Sequence, residues 1–362
     1  MTPRTIKATS VSDALAQGLQ LLSGAAHGPG GVIREESRNG GVSVWDGPVV
    51  THSTHPMNRV LFSPMRNANP FFHLFESLWM LGGRNDLPWV AQFNKQMKAY
   101  SDDGGTTQPA AYGHRWRGFF GHDQIEALVR MLKTDQKTRR AVLTMWDGGA
   151  HADNAPTGQW RDPPGDLGKA LFGSADVPCN TQCFFTVRDG FLHVAVTCRS
   201  NDVLWGAHGA NAVHFSILLE YLAAKCNREI GEMTQFSWNY HLYDGILKKP
   251  VNDVVSDLLD SDRYARRDTV WPTRMFSADT MEVFEQELPL FLDWLDPDHA
   301  SPHGRPELTH PFLEGTALPM YDAWVAWKVQ DIPLAIEFCA EIAGEDWRIA
   351  STEWMQRKLE KL

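Results

Sequence analysis

The segment "DVPCNTQCFF" (residues 176–185) places Cys179 directly after a proline, at the start of an apolar run. A free cysteine beside aromatic residues most often packs in a protein core. It becomes a strong nucleophile when nearby positive charge lowers the thiol pKa from ~8.5 and favours the thiolate. Cys179 is therefore either a small core residue or a catalytic nucleophile, and its surroundings must decide between the two.

Three arginines could supply that positive charge. Arg199 ends a predicted strand that pairs back toward Cys179, while Arg139 and Arg140 are adjacent at the start of another strand. Guanidinium groups bind a phosphate dianion through paired, charge-assisted hydrogen bonds. An adjacent pair of arginines more often lies on a solvated surface. Arg199 is therefore the arginine that we expect beside Cys179.

Two further features could contribute polar chemistry. Glu76 is the single carboxylate in the apolar helical segment "PFFHLFESLWMLGG" (70–83). A buried carboxyl is destabilising unless it is paired or used, and general acid–base catalysis uses such groups. The segment "CRSNDVLWGAHGANAVHFS" (198–216) is dense in polar residues where a strand passes into a helix. It predicts a binding loop with backbone N–H groups free for an anion, with helix capping alone as the alternative.

The elements that must position these residues follow from periodicity and turn signals. Asn39-Gly40 and Asp189-Gly190 predict β-hairpins, the second between strands 180–187 and 191–198. Residues 139–147 read as a strand and 148–176 as a long surface loop. The remaining segments predict helices at 11–24, 70–81, 122–134 and 211–227, and a mainly helical region after residue 250. We expect one domain over 1–362, with 250–362 as a helical C-terminal extension packed on it.

Composition limits the class of protein. The 362 residues carry a net charge of -10, which disfavours nucleic acid as a partner. The five cysteines are an odd number without a CxxC pair, so neither a disulfide framework nor a metal cluster is implied. No apolar stretch approaches the ~20 residues of a membrane span, and the N-terminus lacks a signal-peptide pattern. These features predict a soluble cytoplasmic protein without membrane or metal partners.

Seven motifs occur in the order found in the thymidylate synthase family, which this chain resembles from about residue 34 to residue 250. They are "SRNGG" (37–41), "FHLFESLWMLGG" (72–83), "AYGHRWR" (111–117), "RRAVLTMW" (139–146), "PCNTQCFF" (178–185), "RSNDVLWG" (199–206) and "YHLY" (240–243). The resemblance implies an α/β (α+β) fold, with a mixed sheet flanked by helices. It also implies an enzyme that uses 5,10-methylenetetrahydrofolate as co-substrate.

The same resemblance implies a role for each matching residue. Cys179 would attack C6 of a pyrimidine nucleoside monophosphate, with Glu76 handling protons, Tyr112 close to the nucleophile and Asn211 at the pyrimidine edge. The phosphate would be bound by Arg38, Arg199 and Ser200, with Arg139 and Arg140 contributed by the other subunit of a homodimer. The sugar hydroxyl would be bound by His241 and Tyr243. Asp202, Trp79 and Gly206 would face the folate, and Asn180 and His208 would lie near the base.

The chain departs from the family pattern at four places; the first affects the register of Asn211, and the others affect the water network and the end of the reaction. "GAHGAN" (206–211) has one residue more than the family motif, Asn180 replaces a histidine, no tryptophan occurs in "FNKQMKAYSDDGG" (93–105), and the usual C-terminal ending is absent. These features resemble the family's pyrimidine hydroxymethylases, in which water completes the reaction. We therefore expect C5 hydroxymethylation of dUMP, with dCMP or CMP as other substrates, in an enzyme of bacteriophage type acting in the host cytoplasm. Ordinary dTMP synthesis and a non-catalytic nucleotide-binding regulator are the alternatives.

Overall fold

The computed structural model describes residues 1–24, 30–37, 39–149, 165–265, 270–297 and 304–360. Within these ranges the chain forms one mixed eight-stranded sheet flanked by helices, and the predicted fold class is confirmed. The strands are β1 (Arg4–Ala8), β2 (Val32–Ser37), β3 (Gly40–Trp45), β4 (Val49–Ser53), β5 (Val142–Thr144), β6 (Asn180–Arg188), β7 (Phe191–Asp202) and β8 (Glu229–Tyr243). No helix in the described ranges is long and apolar enough to cross a membrane.

The helices of the described chain surround this sheet. They are α1 (Val11–Gly24), α2 (Pro70–Leu81), α3 (Leu87–Ala91), α4 (Tyr112–Arg117), α5 (Gln124–Thr134), α6 (Gly165–Leu171), α7 (Asn211–Lys225), α8 (Val251–Asp260), α9 (Met281–Trp294), α10 (Leu318–Lys328), α11 (Ile332–Ala340) and α12 (Glu345–Leu359). Lys95–Ala99 forms a 3-10 helix, and Val203–Ala210 and Leu313–Ala317 form π-helical segments. The helices predicted around residues 11–24, 70–81, 122–134 and 211–227 are confirmed as α1, α2, α5 and α7.

The sheet has the order β1-β4-β8-β7-β6-β5, and β3, which carries β2, pairs with the last residues of β8. The β1/β4 and β7/β8 pairs are parallel, whereas the other pairs are antiparallel. Because β7 and β8 run in the same direction, their C-terminal ends lie at one edge of the sheet. The start of β6 lies at that same edge, since β6 is antiparallel to β7.

Both predicted hairpins are confirmed. β6 and β7 are joined by Asp189 and Gly190, whose φ angles of 49° and 87° match the positive φ that a two-residue type I′ turn requires. The second hairpin pairs β2 with β3 through Ser37 and Gly40. Residue 38 lies outside the described residues.

Helix α2 begins and ends where its sequence signals predict. The Asn69 side chain accepts hydrogen bonds from the N–H groups of Phe71 and Phe72 at 3.1 and 3.2 Å, and Pro70 occupies the first turn. After Gly82 the chain reverses at Gly83, whose φ is 72°. These local interactions fix the helix that carries Glu76.

The structure corrects two predicted elements. Residues 165–171 of the predicted 148–176 loop form α6, because Asp166 is fully buried and accepts hydrogen bonds from Arg115 at 2.7 and 2.9 Å. Residues 150–164 of that loop lie outside the described residues. The predicted strand 139–147 is confirmed only as the short β5. The sequence could not predict α6, since the Arg115–Asp166 pair joins positions that are 51 residues apart.

The region after residue 250 is helical as predicted, and its helices pack on α2. The ring of Phe71 lies 5.5 Å from that of Trp324 in α10 and 5.7 Å from that of Trp354 in α12. Aromatic pairs at such distances add to the stability gained by burying the rings. The C-terminal helices therefore contact the face of α2 that carries Phe71, while the single-domain organisation stays a prediction.

A buried ion pair joins the main sheet region to the segment before α9. Arg59 and Glu220 are each 1% exposed, and Arg59 Nη2 lies 2.6 Å from Glu220 Oε2. Glu220 Oε1 accepts hydrogen bonds from the backbone N–H groups of Met275 and Phe276 at 2.6 and 3.2 Å. This carboxylate therefore neutralises a buried cation and also fixes the path of the chain at 275–276.

Glu220→Gln keeps the side-chain shape but leaves the charge of Arg59 uncompensated. Breaking a buried pair from one side costs about 3–5 kcal/mol, so we expect a loss of that size in the free energy of unfolding, measured by urea titration. The matched control is Glu229→Gln, which removes the exposed Arg274–Glu229 pair (3.6 Å, side chains 57% and 64% exposed). It should cost less than about 1 kcal/mol. Equal losses in the two variants would contradict this assignment.

Candidate active site

The edge of the sheet where β7 and β8 end collects most of the candidate residues. Asp202 of β7 is in register with His241 of β8, and Asn180 at the start of β6 is in register with Cys198 of β7. Cys179 directly precedes β6 and is half-buried. The strand pairing thus brings together residues that are 62 positions apart in the sequence, from Cys179 to His241.

Arg199 contacts Cys179, as the sequence predicted. Its Nη2 lies 3.7 Å from the Cys179 Sγ, and its backbone N–H donates to the Cys179 carbonyl at 2.8 Å. Nε and Nη2 also donate to the carbonyls of Pro178 and Val177 at 2.8 and 2.9 Å. These bonds hold the guanidinium beside the sulfur, where its charge favours a thiolate.

Tyr112 fixes the backbone at Cys179 and Asn180. Its hydroxyl oxygen accepts hydrogen bonds from the N–H groups of Cys179 and Asn180 at 3.2 and 3.1 Å. Burial, with the nearby Cys179 as a smaller cause, raises the pKa of the phenol well above its usual value. The side chain therefore stays neutral and keeps its O–H available as a donor.

A chain of buried amides begins at Asn180, the residue after Cys179. Asn180 Nδ2 donates to Asn211 Oδ1 at 3.0 Å, Asn211 Nδ2 donates to Asn201 Oδ1 at 3.1 Å, and Asn201 Nδ2 donates to Ser237 Oγ at 2.9 Å. An amide offers two N–H donors and two acceptor positions. Asn211 is therefore held in one orientation, with one donor and one acceptor left for a ligand.

The segment before α7 is a π-helical turn (Val203–Ala210) and not the binding loop predicted within 198–216. The Asp202 carboxylate accepts hydrogen bonds from Leu204 and Trp205 N–H at 3.0 and 2.5 Å, so the expectation that these groups are free for an anion is wrong. The Asn211 N–H donates to the carbonyl of Gly206, five residues earlier. This wide turn absorbs the additional residue of "GAHGAN" and leaves Asn211 at the start of α7.

Gly206 and His208 lie inside this π-helical turn. A Cβ on Gly206 would lie 2.8 Å from Asn201 Oδ1, so a side chain here would disturb the amide chain. His208 is 1% exposed, and its Nε2 lies 2.8 Å from the Tyr240 hydroxyl. Burial lowers the pKa of His208 to about 3. Its neutral imidazole is therefore engaged by Tyr240, and a contact with the base stays a prediction.

Glu76 contacts His214, and His73 lies one turn before Glu76 on α2; sequence reasoning missed both histidines. The Glu76 Oε2 lies 3.0 Å from the Nε2 of His214, which is three residues after Asn211 on α7. His73, one turn before Glu76 on α2, has its pKa lowered to about 3 by burial, with the charges of Arg66 and His214 as smaller causes. The i, i+3 spacings of Glu76 from His73 and of His214 from Asn211 were the available signal.

Arg66 is a further residue that the sequence did not single out. Its Nη2 donates to the carbonyl of Leu204 at 2.9 Å. Burial lowers the pKa of Arg66 to about 10, while the charge of Asp202 acts in the opposite direction. Burial also raises the pKa of Asp202, against the charges of His241 and Arg66. A cation and a carboxylate thus lie close together beside the π-helical turn.

His241 and Tyr243 lie at the end of β8 as neighbours. Their ring centroids are 5.2 Å apart, and His241 Nδ1 lies 2.7 Å from Asn239 Oδ1. The hydroxyl of Tyr243 accepts a hydrogen bond from Asn39 Nδ2 at 3.5 Å, and the exposed Trp205 lies 6.4 Å from its ring. Ser200 is half-buried on the adjacent strand, in register with Asn239. This end of the sheet therefore offers hydroxyl and imidazole groups beside an exposed aromatic ring.

Not every predicted residue joins this group. Arg139 and Arg140 are exposed and precede β5 at the end that pairs with Phe184, roughly 20 Å along β6 from Cys179. The Trp79 side chain is 1% exposed, and its indole N–H donates to Asp86 at 3.0 Å. Trp79 therefore lies in the core, and its contact with folate stays a prediction. Arg38 lies outside the described residues.

Several buried polar atoms at this site have no hydrogen-bond partner in the described chain. They are Asn180 Oδ1, Asp202 Oδ2, Arg66 Nε and His214 Nδ1. Among the residues that the structure describes, Glu76 Oε2 and His214 Nε2 have no polar contact beyond the 3.0 Å approach to each other. Buried polar atoms in proteins are normally paired with protein, water or ligand, so this concentration marks a site for a polar ligand. No group of three or more His, Cys, Asp or Glu side chains in the described residues is placed to bind a metal ion.

Comparison with known proteins fits this geometry. The family model for thymidylate synthase matches residues 66–258, which include Glu76, Cys179 and Asn211. The chain belongs to the thymidylate synthase family. Within this family it is 40% identical to the deoxyuridylate hydroxymethyltransferase of Pseudomonas phage M6, over 98% of this chain and 94% of that protein.

Other members of the thymidylate synthase family match over shorter stretches. The deoxyuridylate hydroxymethyltransferase of Bacillus phage SP01 is 34% identical over 54% of this chain and 49% of its own length. A thymidylate synthase of Francisella tularensis subsp. holarctica (strain LVS) is 28% identical over 50% of this chain and 64% of its own length. Of these three relatives, only the phage M6 protein is similar over nearly the whole chain.

The buried His208 makes stability depend on pH. Its folded pKa of about 3 lies below the 6.5 of an unperturbed histidine, so the unfolded chain binds a proton that the folded chain does not, and stability falls as pH drops below 6.5. By pH 5 this histidine should cost about 2 kcal/mol. Glutamine can still pair with Tyr240 but does not titrate. In the His208→Gln variant, the free energy of unfolding should therefore fall less between pH 7 and pH 5, by about these 2 kcal/mol. An unchanged pH dependence in urea titrations would refute the assignment.

Proposed function

We propose that this protein hydroxymethylates C5 of deoxyuridylate, with 5,10-methylenetetrahydrofolate as co-substrate and water as the final nucleophile. The observation that carries the proposal is the 40% identity, over 98% of the chain, to a protein named deoxyuridylate hydroxymethyltransferase. The phage relatives support a role in the cytoplasm of a bacterial host. dCMP and CMP remain the other candidate substrates.

Cys179 is the proposed nucleophile at C6 of the pyrimidine. Cys179 is half-buried, and the Arg199 guanidinium 3.7 Å from its sulfur stabilises a thiolate. Tyr112 holds the N–H groups of Cys179 and Asn180, which fixes the direction of the side chain. Addition of the sulfur to C6 makes C5 nucleophilic, because the electron pair of the C5–C6 bond moves onto C5 and O4.

Asn211 is the proposed reader of the base. Uracil presents an O4 acceptor beside an N3–H donor, and the amide of Asn211 has one donor and one acceptor left after pairing with Asn201 and Asn180. Cytosine presents the opposite pattern at these positions, so the fixed amide favours uracil. The neutral His208 would lie behind this edge and not on it.

The phosphate is proposed to lie beyond Arg199 and Ser200, with Arg38 from the same chain. Arg139 and Arg140 are too far from Cys179 to join them within one chain, so a second copy would have to supply that pair. The sheet face opposite α1 and α7 favours such a homodimer, since it exposes apolar side chains. These are Val142 (38%), Phe184 (41%), Phe191 (44%) and Trp238 (54%).

The folate is proposed to lie against the π-helical turn, where Asp202, Arg66 and Trp205 meet. The fit rests on chemistry, because Asp202 Oδ2 and Arg66 Nε are buried and unpaired within the described chain, and Trp205 is 47% exposed. A carboxylate, a guanidinium and an exposed indole suit a ligand with a heteroaromatic ring and an acidic tail. When bound, this co-substrate supplies the one-carbon unit at the oxidation level of formaldehyde. Gly206 would let it approach the turn.

Glu76 is the proposed base for the last step. Once C5 carries an exocyclic methylene and C6 still carries Cys179, the oxygen of water bonds to the methylene carbon and a proton of that water goes to Glu76. The electron pair then re-forms the C5–C6 double bond as the C6–S bond breaks and releases the Cys179 thiolate. Glu76 is buried, and its contact residue His214 lies three residues after Asn211 on α7, which supports this role.

Purified protein incubated with dUMP, dCMP or CMP and 5,10-methylenetetrahydrofolate should yield the hydroxymethyl product of dUMP in highest amount, identified by mass spectrometry. Cys179→Ala should lower this product about 10³-fold or more, because the C6 adduct is lost. The matched control is Cys183→Ala, whose sulfur is fully buried in the core and whose loss should leave turnover close to wild type.

Dihydrofolate and dTMP as products would instead establish the thymidylate synthase alternative. Absence of any one-carbon transfer by the wild type would favour the nucleotide-binding regulator.

Arginines shared between subunits predict complementation. The Cys179→Ala variant and the Arg139→Ala/Arg140→Ala variant should each be nearly inactive. Mixing them with subunit exchange should restore up to roughly a quarter of wild-type activity, since half of the dimers are mixed and one of their two sites is intact. A mixture as inactive as its components would show that these arginines serve their own chain or no site.

A further inference from the structure

The pair formed by Glu76 and His214 joins two helices inside the site. Glu76 lies on α2 and His214 on α7, with side chains that are 10% and 3% exposed. The Oε2 of Glu76 and the Nε2 of His214 are 3.0 Å apart, within hydrogen-bonding distance. Two polar groups so deeply buried stabilise a protein only when they are paired with each other or with a ligand.

The surroundings leave His214 as the neighbour that can orient this carboxylate. His73, which also lies on α2, is held neutral by burial and is 7% exposed. Arg66 directs its Nη2 to the carbonyl of Leu204. The Nδ1 of His214 has no protein partner in the described chain, so its ring is placed by helix α7 and by the contact with Glu76.

We propose that His214 is a positioning residue for the water step, whose Nε2–H holds one carboxylate oxygen of Glu76 so that the other faces the attacking water. The assignment rests on the proposed hydroxymethyl transfer and adds a residue to it. His214 and Asn211 are three residues apart on α7; Asn211 accepts a hydrogen bond from Asn180, and His214 contacts Glu76. Helix α7 thus sets the base-reading amide and the orientation of the proton acceptor in one rigid unit.

In the step that His214 supports, the oxygen of water forms a bond to the methylene carbon on C5 and its proton passes to the free oxygen of Glu76. The earlier steps, addition of Cys179 and loss of the C5 hydrogen, do not use that geometry. Substitution of His214 should therefore separate loss of the C5 hydrogen from formation of the hydroxymethyl product. A thiolate that replaces water as nucleophile needs no proton acceptor, so it should still react.

The test compares three variants of the full-length protein, using dUMP labelled with tritium at C5. Gln places its amide nitrogen near the position of Nε2, Asn carries the same group one methylene shorter, and Phe keeps the bulk without a donor. We expect His214→Gln to keep the kcat for hydroxymethyl product within about 5-fold of wild type. His214→Asn and His214→Phe should each lower it about 100-fold with little change in KM.

In the Asn and Phe variants, tritium release should exceed hydroxymethyl product, and added 2-mercaptoethanol should yield a thioether at the C5 methylene at close to the wild-type rate. A His214→Phe variant with wild-type product formation would overturn the proposal, as would product, thioether and tritium release falling together. Failure of the wild type to form hydroxymethyl product would instead overturn the proposed function. The Gln variant keeps the test decisive where Phe impairs folding, because only a positioning role predicts that Gln is active and Asn is not.

Discussion

The site depends on the parallel pairing of β7 and β8. Their register places Asp202 beside His241 and Ser200 beside Asn239, and the antiparallel β6 adds Asn180 and Cys179 at the same edge. Backbone hydrogen bonds along 10 paired positions of the two strands hold this alignment. A slip by one residue would turn each of these side chains to the opposite face. Cys179, Ser200, Asp202 and His241 therefore share one structural origin, which explains how residues from distant parts of the sequence lie together.

Burial is the second factor that determines the arrangement of the site, because it removes water from polar groups that need hydrogen-bond partners. The side chains of Asn180, Asn211 and Asn201 are linked by successive hydrogen bonds, and the last bond goes to Ser237. In a medium of low polarity such a chain fixes the direction of every amide, since turning one would leave its neighbour unpaired. The same low polarity keeps Tyr112 neutral. The Cys179 thiol thus lies near neutral, fixed dipoles and the Arg199 guanidinium. In such a setting, charge that develops on a ligand is strongly stabilised.

Much of the fold could be predicted because its signals are local. Asn69 and Pro70 predict the start of α2, and Asp189-Gly190 predicts the β6–β7 turn. Each signal consists of two adjacent residues. The pairing of Arg115 with Asp166 depends on contacts between distant segments, so the sequence suggested a loop where α6 forms. Within the site, the proximity of Arg199 and Cys179 followed from the hairpin. The contacts of Arg66 with Leu204 and of His214 with Glu76 did not, because they depend on how separate segments pack against each other, which periodicity does not specify.

The π-helical turn at 203–210 also sets the angular position of everything that follows it on α7. Each residue of an α-helix advances the chain by about 100° around the axis, so one residue more or fewer in an ordinary helix would rotate Asn211 and His214 away from β6 and α2. The wide turn accommodates the added residue without that rotation. The extra residue therefore does not change the direction in which Asn211 and His214 point. Relatives could differ in the length of this segment and still keep the same orientation of α7.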